Sequence, residues 1–151
     1  MVDQLPHLDP HSLKAREASL RLAIEQLYFG YRAFTAQPDR ILSQRGLGRV
    51  HHRILYFVGR HPRISVNALL DVLSVSKQAL NAPLRQMIEM GLVAMGTADH
   101  DRRVRELALT AQGVKLESQL TGTQMKQLQA VFERSGPQAE SGWHEVMQHL
   151  K

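Results

Sequence analysis

Polar and basic side chains recur at helical spacing between residues 77 and 85. In a helix, Lys77, Gln78, Asn81 and Arg85 would share a sector of about 100°. Glutamine and asparagine amides bond bidentately to adenine in the major groove, while arginine and lysine suit guanine or phosphate. The alternative is a solvated polar face, which any amphipathic helix has.

A second cationic group is the pair Arg102 and Arg103, flanked by Asp99 and Asp101. A long cationic side chain at a hairpin tip can enter the minor groove, where narrow A·T-rich DNA concentrates negative potential. An aspartate beside it cannot favour DNA, so we expect it to hold one arginine in place while the other reaches out. The alternative is a loop that its charges merely keep soluble.

The composition agrees with a polyanionic partner. The 151 residues carry a net charge of +5, with a pI near 10.0, which favours nucleic acid first and an acidic membrane surface second. A soluble basic protein without such a partner has the same balance. No cysteine is present, which excludes disulfides and thiolate zinc sites. No apolar run suits a signal peptide or a membrane span, so we expect a cytoplasmic protein.

Catalytic and metal-binding patterns are missing from the sequence. It contains no G-x-S-x-G, P-loop or H-E-x-x-H motif, so we expect no enzymatic activity. The adjacent His51 and His52 would point about 100° apart on a helix and could not easily share an ion. The pairs His7/His11 and His144/His149 lack acidic partners at ligand spacing. We therefore expect no metal and no cofactor.

Apolar periodicity predicts the elements that carry these side chains. A long first helix, expected to end at Pro38, shows one apolar stripe: Leu20, Ile24, Leu27, Tyr31 and Phe34. A second helix stops before Pro62. Ser65 caps a short third helix and Ser76 caps a fourth, which Gly91 closes in a left-handed conformation.

Beyond Gly91, the pattern becomes extended. Leu92–Thr97 and Val104–Thr110 predict a hairpin around a charged loop. A long fifth helix follows Thr110 and is broken at Ser135-Gly136-Pro137. The last helix has an apolar stripe of Trp143, Val146, Met147 and Leu150. The predicted fold class is mainly α, with a small β component (α+β).

Two motifs connect these elements to a known family. Residues 65–93 fit a helix-turn-helix, and the hairpin behind it fits a wing. Asp101-Arg102-Arg103, six residues before Leu109-Thr110-Ala111-Gln112-Gly113, resembles the DRR wing and LTxxG helix start of the MarR family of bacterial transcription regulators. The resemblance covers roughly residues 12–150. It implies a winged helix-turn-helix with N- and C-terminal dimerisation helices, and two winged modules that reach successive major grooves.

The resemblance also implies a division of labour along the chain. Residues 1–37 would form an N-terminal arm and first dimerisation helix, 38–110 the DNA-binding lobe, and 111–151 the C-terminal dimerisation helices. Asp101 would position the wing. The expected DNA-binding residues are Ser76, Lys77, Gln78, Asn81, Arg85, Arg102 and Arg103.

Three positions depart from the family pattern. The turn of the helix-turn-helix usually carries glycine and here has Ser74. The family often has an acidic residue three positions before the aspartate of its DRR motif, whereas Asp99 lies only two positions before Asp101. Pro83 falls inside the predicted recognition helix, where proline costs roughly 3 kcal/mol. Either this helix is kinked near Ala79, or its first turn is separate from the rest.

A basic stripe on the second helix allows two interpretations. It contains Arg49, His52 and Arg53, and no acidic residue occurs from 40 to 70 to neutralise it. It is either an exposed basic face near DNA or an anion site. Related regulators bind small aromatic acids beside this helix, so the resemblance suggests a cleft in which Tyr28 and Tyr31 face Arg49 or Arg53.

These observations predict a homodimeric, sequence-specific DNA-binding regulator, acting as a repressor that a small aromatic acid releases. Two alternatives stay open at this point. One is an architectural protein that coats DNA with little sequence preference. The other is a ligand-binding or protein-interaction module that has kept the fold without binding DNA.

Overall fold

A computed structural model describes residues 9–151 and confirms the predicted α+β class. The N-terminal part of the predicted arm, with His7, lies outside these residues. The chain divides into two compact units, one up to Ala36 and one from Gln37 to Lys151. In chain order the elements are α1 (Pro10–Ser43), α2 (Arg49–Arg60), β1 (Ile64–Ser65), α3 (Val66–Leu73), α4 (Lys77–Glu89), β2 (Val93–Thr97), β3 (Arg105–Leu109), α5 (Ala111–Ser135) and α6 (Pro137–Leu150).

Three helices begin at hydroxyl side chains: Ser65 and Ser76, which the sequence predicts as caps, and Thr110, which it places directly before the fifth helix. Each cap oxygen accepts a hydrogen bond from the backbone N–H three residues ahead, and the distances are 3.0 Å at Ser65, 3.1 Å at Ser76 and 3.0 Å at Thr110. Gly91 has a φ of 73°, as predicted for the residue that closes α4.

The first helix does not end at Pro38, and that prediction was wrong. It continues through the proline to Ser43. Proline has no N–H to donate to the carbonyl four residues earlier, which weakens the helix at this turn. Pro38 is fully buried in the second unit, as is Leu42 one turn later. Burial of these side chains offsets the missing hydrogen bond.

The predicted hairpin is confirmed and gains a third strand. Strands β2 and β3 pair antiparallel from Val93 opposite Leu109 to Thr97 opposite Arg105. Strand β1, which the sequence did not indicate, adds to the other edge of β3, where Ile64 lies opposite Leu107. The sheet order is therefore β1-β3-β2.

The core of the second unit consists largely of aliphatic side chains. It collects residues from α1, α2, α3, α4, the sheet and α5. Leu116 and Leu120 of α5 are buried in this core, and α5 packs against α2 and β3. The fully buried side chains are those of Leu42, Ile54, Leu55, Leu69, Leu80, Met87, Leu92, Leu107, Leu120, Val58, Val93 and Pro38.

The LTxxG segment joins the sheet to α5 through the hydrogen bonds of Thr110 and the close packing of Gly113. The Thr110 hydroxyl donates to the Gly91 carbonyl at 2.6 Å while it accepts from the Gly113 N–H. Gly113 packs directly on the Leu92 carbonyl oxygen, and a Cβ there would overlap that atom. A side chain at residue 113 would thus force α5 away from the end of β2.

Apolar side chains remain exposed at both ends of the chain. In the first unit, α1 exposes Leu20, Ile24 and Leu27. In the second, α6 begins after Gly136 and exposes Trp143 and Val146, with no buried residue of its own. No helix of residues 9–151 is long and apolar enough to cross a membrane.

Candidate nucleic-acid interface

The fourth helix separates its apolar and polar sides as the sequence predicted. Leu80, Leu84 and Met87 are buried against the core, which turns the opposite side outward. Ser76 and the four predicted polar residues, Lys77, Gln78, Asn81 and Arg85, are all exposed. This side of α4 is therefore free to meet a partner with amide and cationic groups.

A groove between α4 and the wing brings part of the predicted set together. Its volume is about 820 Å³, and Lys77, Asn81, Arg85 and Arg103 all line it. Ser76, Gln78 and Arg102 are exposed but are not among its lining residues. The complete lining is Ser65, Val66, Asn67, Lys77, Asn81, Leu84, Arg85, Ile88, Glu89, Met95, Arg103, Val104 and Arg105.

Two of these lining residues, Asn67 and Arg105, were missed from the sequence. Arg105 lies two residues after Arg103, and side chains two apart on an extended chain share a face. That alternation could have indicated it. Asn67 is the second residue of α3, and no pattern in the sequence indicates that α3 borders the groove. Both add hydrogen-bond donors to the surface.

Two of the departures from the family pattern, Ser74 and Pro83, concern the backbone, and the structure accommodates them differently. Ser74 adopts the left-handed conformation, with φ 52° and ψ 43°, so it performs the turn that glycine usually makes. Helix α4 runs from Lys77 to Glu89 through Pro83 without interruption. A separate first turn, one of the two alternatives predicted for Pro83, is therefore wrong.

The wing tip is organised around Asp101. Its carboxylate accepts from the Arg103 backbone N–H at 2.9 Å and from the Arg103 Nε at 3.2 Å. These donors, the backbone N–H first, hold the pKa of Asp101 below its usual value. Arg103 is thus the tethered arginine, while the side chain of Arg102 makes no hydrogen bond or ion pair within the described chain.

Arg63 anchors the wing from outside it, and sequence reasoning missed this role. Its guanidinium Nε contacts Glu106 Oε2 at 3.0 Å and its Nη2 contacts Asp99 Oδ2 at 3.1 Å. Its backbone N–H donates to the Leu107 carbonyl at 3.1 Å, with φ at 67°. Such a conformation is unfavourable for a residue with a Cβ. Several contacts to β3 and the wing hold it there.

The basic stripe of α2 is partly neutralised, contrary to the expectation from sequence. Arg49 forms a bidentate pair with Asp39, with Nη2 and Oδ2 at 2.9 Å. Asp39 lies just before the acid-free segment, and the continuation of α1 past Pro38 brings it to α2. Tyr28 and Tyr31 are exposed on α1 in the first unit.

His52 of the same stripe faces α5. Its Nε2 lies 3.3 Å from the Thr121 Oγ1, and that hydroxyl donates to Glu117 at 2.6 Å. Burial lowers the pKa of His52, because it disfavours the charged imidazolium; the carboxylates of Glu117 and Asp39 oppose this shift and Arg53 adds to it. His52 is therefore a partly buried contact between α2 and α5.

No group of three or more histidine, aspartate or glutamate side chains among residues 9–151 is close enough to hold a metal ion. The adjacent histidines of α2 have different partners: His51 contacts Gln86, and His52 contacts Thr121.

Helix α3, the turn at Ser74, helix α4 and the β2–β3 hairpin together define a winged helix-turn-helix protein. The pattern of the MarR family matches residues 45–104. The HTH-type transcriptional regulator PetP of Rhodobacter capsulatus is 43% identical over 134 residues, which make up 89% of this chain and 81% of that protein. The chain therefore belongs to the MarR family of transcription regulators.

Solved structures agree on the fold. A MarR family transcription regulator has a TM-score of 0.77 at 19% identity, over 92% of both chains. Streptococcus pneumoniae FabT, crystallised in complex with DNA, has a TM-score of 0.76 at 13% identity, over 87% of this chain and 94% of that one. NadR in complex with 4-hydroxyphenylacetate has a TM-score of 0.70 at 20% identity, over 99% and 97%.

Proposed function

We propose that the protein binds a pseudopalindromic operator in double-stranded DNA as a homodimer and represses transcription until a small aromatic acid releases it. One observation carries the DNA-binding part: Lys77, Asn81, Arg85 and Arg103 line a single groove between α4 and the wing. Amide and guanidinium groups on the exposed side of a helix can form hydrogen bonds with base edges and phosphates. The DNA complex of FabT, which has the same fold, supports this reading.

Selection of bound fragments from random DNA tests the proposal directly. We expect one enriched sequence with two half-sites about one helical turn apart. Log K for that site should fall steeply with log[salt], because a dimer presents each cation twice. Arg103→Ala should flatten the slope by about one for each protomer. Arg134→Ala is the matched control, since it removes an exposed cation at the end of α5 that does not line the groove.

The alternatives predict different results in the same assay. An architectural protein would bind selected and random duplexes with nearly equal affinity. A module without a DNA role would show no salt-dependent binding at all. Repression itself is tested with the selected operator in front of a reporter gene, where added protein should lower transcript levels.

The homodimer is supported by the apolar side chains that α1 and α6 leave exposed, among them Leu20, Trp143 and Val146. Burial of such side chains between two copies would remove them from water. Removal of residues 137–151 should therefore give monomers or aggregates and loss of operator affinity, since each half-site alone binds weakly. A folded monomeric truncation that binds tightly would contradict this assignment.

The effector is supported by the cations of α2 and by the relative NadR, whose structure contains 4-hydroxyphenylacetate. We place the carboxylate of the effector on Arg53 of this basic stripe, with His52 beside it. An aromatic acid should raise the melting temperature and weaken DNA binding, since only a ligand that distinguishes two conformations shifts their balance. Arg53→Ala should abolish both effects and spare DNA affinity.

A further inference from the structure

The imidazole of His51 joins α2 to α4. His51 is 8% exposed and is one of the few buried polar side chains among the described residues. Its Nδ1 accepts a hydrogen bond from the Gly48 backbone N–H at 2.9 Å. A nitrogen that accepts carries no hydrogen, so the neutral ring has its hydrogen on Nε2. That Nε2 lies 2.9 Å from Gln86 Oε1, to which it donates.

Gln86 completes the connection from the side of α4. Its oxygen accepts from His51, and its Nε2 donates to the Gly46 carbonyl at 3.4 Å. Gly46 lies in the turn before α2 and has a φ of 70°. One amide orientation serves both bonds, because the oxygen must face the imidazole and the nitrogen must face the carbonyl. A single side chain of α4 is thus tied to α2 and to the turn that precedes it.

This connection constrains α4 in a way that its apolar packing does not. Leu80, Leu84 and Met87 hold the helix against the core, but apolar contacts have little directional preference. Hydrogen bonds weaken steeply when distance or angle changes. Gln86 directly follows Arg85, which lines the groove, so rotation or sliding of α4 that moves Arg85 also strains the bond to His51.

We propose that the His51–Gln86 hydrogen bond is the positioning contact that fixes the rotation and axial placement of α4, and with them the discrimination between operator and other DNA. This inference rests on the proposed DNA-binding function. Neither side chain needs to touch DNA. Since α2 also carries Arg53 and His52, the same bond would transmit a displacement of α2 to α4.

Three substitutions separate the two bonds of His51. His51→Asn keeps an acceptor where Nδ1 stands but is too short to reach Gln86. His51→Gln places an amide nitrogen where Nε2 stands and keeps the donor to Gln86, at the expense of the Gly48 bond. Gln86→Met removes the amide at nearly equal length. His61→Asn is the matched control, because His61 is an exposed histidine at the C-terminal end of α2.

The measured quantity is the ratio of affinity for the selected operator to affinity for random duplex, at one salt concentration. We expect His51→Asn and Gln86→Met each to lower this ratio about tenfold, the size of one hydrogen bond. The double variant should be no worse than either single one. His51→Gln and His61→Asn should keep the ratio of the unsubstituted protein. Affinity for random duplex should stay unchanged throughout.

The outcomes are distinguishable from failure of the proposed function. If the unsubstituted protein does not bind DNA or does not discriminate, the proposed function is overturned and this inference with it. If it discriminates and folded Gln86→Met keeps the same ratio, the inference alone is overturned. Additive losses in the double variant, or equal losses on both DNAs, also overturn it. Gln86→Met decides the matter by itself if His51→Asn does not fold.

Discussion

Helix α4 and the wing contribute cations to the same groove, yet different forces hold them. Helix α4 is held against the core by buried aliphatic side chains, with Leu80 only 1% exposed. The wing tip is fixed by ion pairs in water: the side chains of Arg63 and Asp99 are 62% and 91% exposed, and that of Arg103 is 91% exposed. Salt screens exposed pairs and leaves buried apolar contacts intact. The comparison indicates that added salt loosens the wing even in the absence of DNA, because it screens these ion pairs.

The largest effect on stability is expected from a substitution in α4. Leu80→Ala should lower the free energy of unfolding by about 2–5 kcal/mol, through lost burial and the cavity left in the core. Denaturant unfolding measures it, and the loss should be the same at low and high salt. Val72→Ala is the matched control, since Val72 is 44% exposed on α3. A change similar to that of the control would mean that apolar burial does not hold α4.

A smaller, salt-dependent effect is expected at the wing. Arg63→Ala removes the contacts to Asp99 and Glu106, so the wing should open more often. Hydrogen exchange at the Ala98 amide, which donates to the Val104 carbonyl, reports this opening. In the unsubstituted protein, exchange should speed up with added salt. In Arg63→Ala it should be fast at every salt concentration.

Arg63→Gly provides the control for this experiment. Both variants lose the ion pairs, but glycine accepts the φ of 67° without strain, whereas alanine does not. Arg63→Gly should therefore melt at a higher temperature than Arg63→Ala, with equally fast exchange at Ala98. Slow, salt-sensitive exchange in either variant would show that Arg63 does not hold the wing.

The smallest effect on stability is expected from a change in pH. It arises at His52 of α2, outside both α4 and the wing. Burial lowers the pKa of His52 from its ordinary value of 6.5. Above 6.5, the folded and unfolded forms are both neutral. As the pH falls below that value, the unfolded chain takes up a proton that the folded chain refuses, so the folded state loses stability. The loss should continue until the lower, folded pKa is passed.

Thermal melting between pH 7.5 and 5.5 measures this contribution, and two variants should change it in opposite directions. His52→Gln should make the melting temperature fall less on acidification. Glu117→Gln removes a carboxylate that raises the pKa of His52, so the fall should become steeper. If the melting temperature falls equally with pH in all three proteins, His52 does not cause the loss of stability.

Local signals in the sequence predicted the elements well. The hydroxyl residues Ser65, Ser76 and Thr110 each begin a helix, because an N-cap is a matter of a few neighbouring residues. The left-handed Gly91 is equally local. The polar side of α4 also followed from periodicity alone, since burial of Leu80 and Leu84 determines which side faces outward.

Contacts between distant residues were not predictable in this way. Pro38 continues a helix because its ring is buried, and burial depends on the whole second unit. Strand β1 has only two residues, too few for an alternating pattern, and exists because β3 lies beside it. The pairs Arg49–Asp39 and Arg63–Asp99 join segments that only the fold brings together. Which cations remain available to a partner therefore depended on the tertiary structure.

The burial of Leu116 and Leu120 in the core to which α3 and α4 also contribute has a consequence during synthesis of the chain. The ribosome releases α3 and α4 before these two leucines exist, and Ile64 must await Leu107 before β1 can pair. At about 5–20 residues per second, the nascent helix-turn-helix waits for seconds with an incomplete core. We therefore expect ribosome-bound chains that end near residue 110 to be sensitive to protease and to chaperone binding, and chains that expose residue 120 beyond the exit tunnel to be resistant.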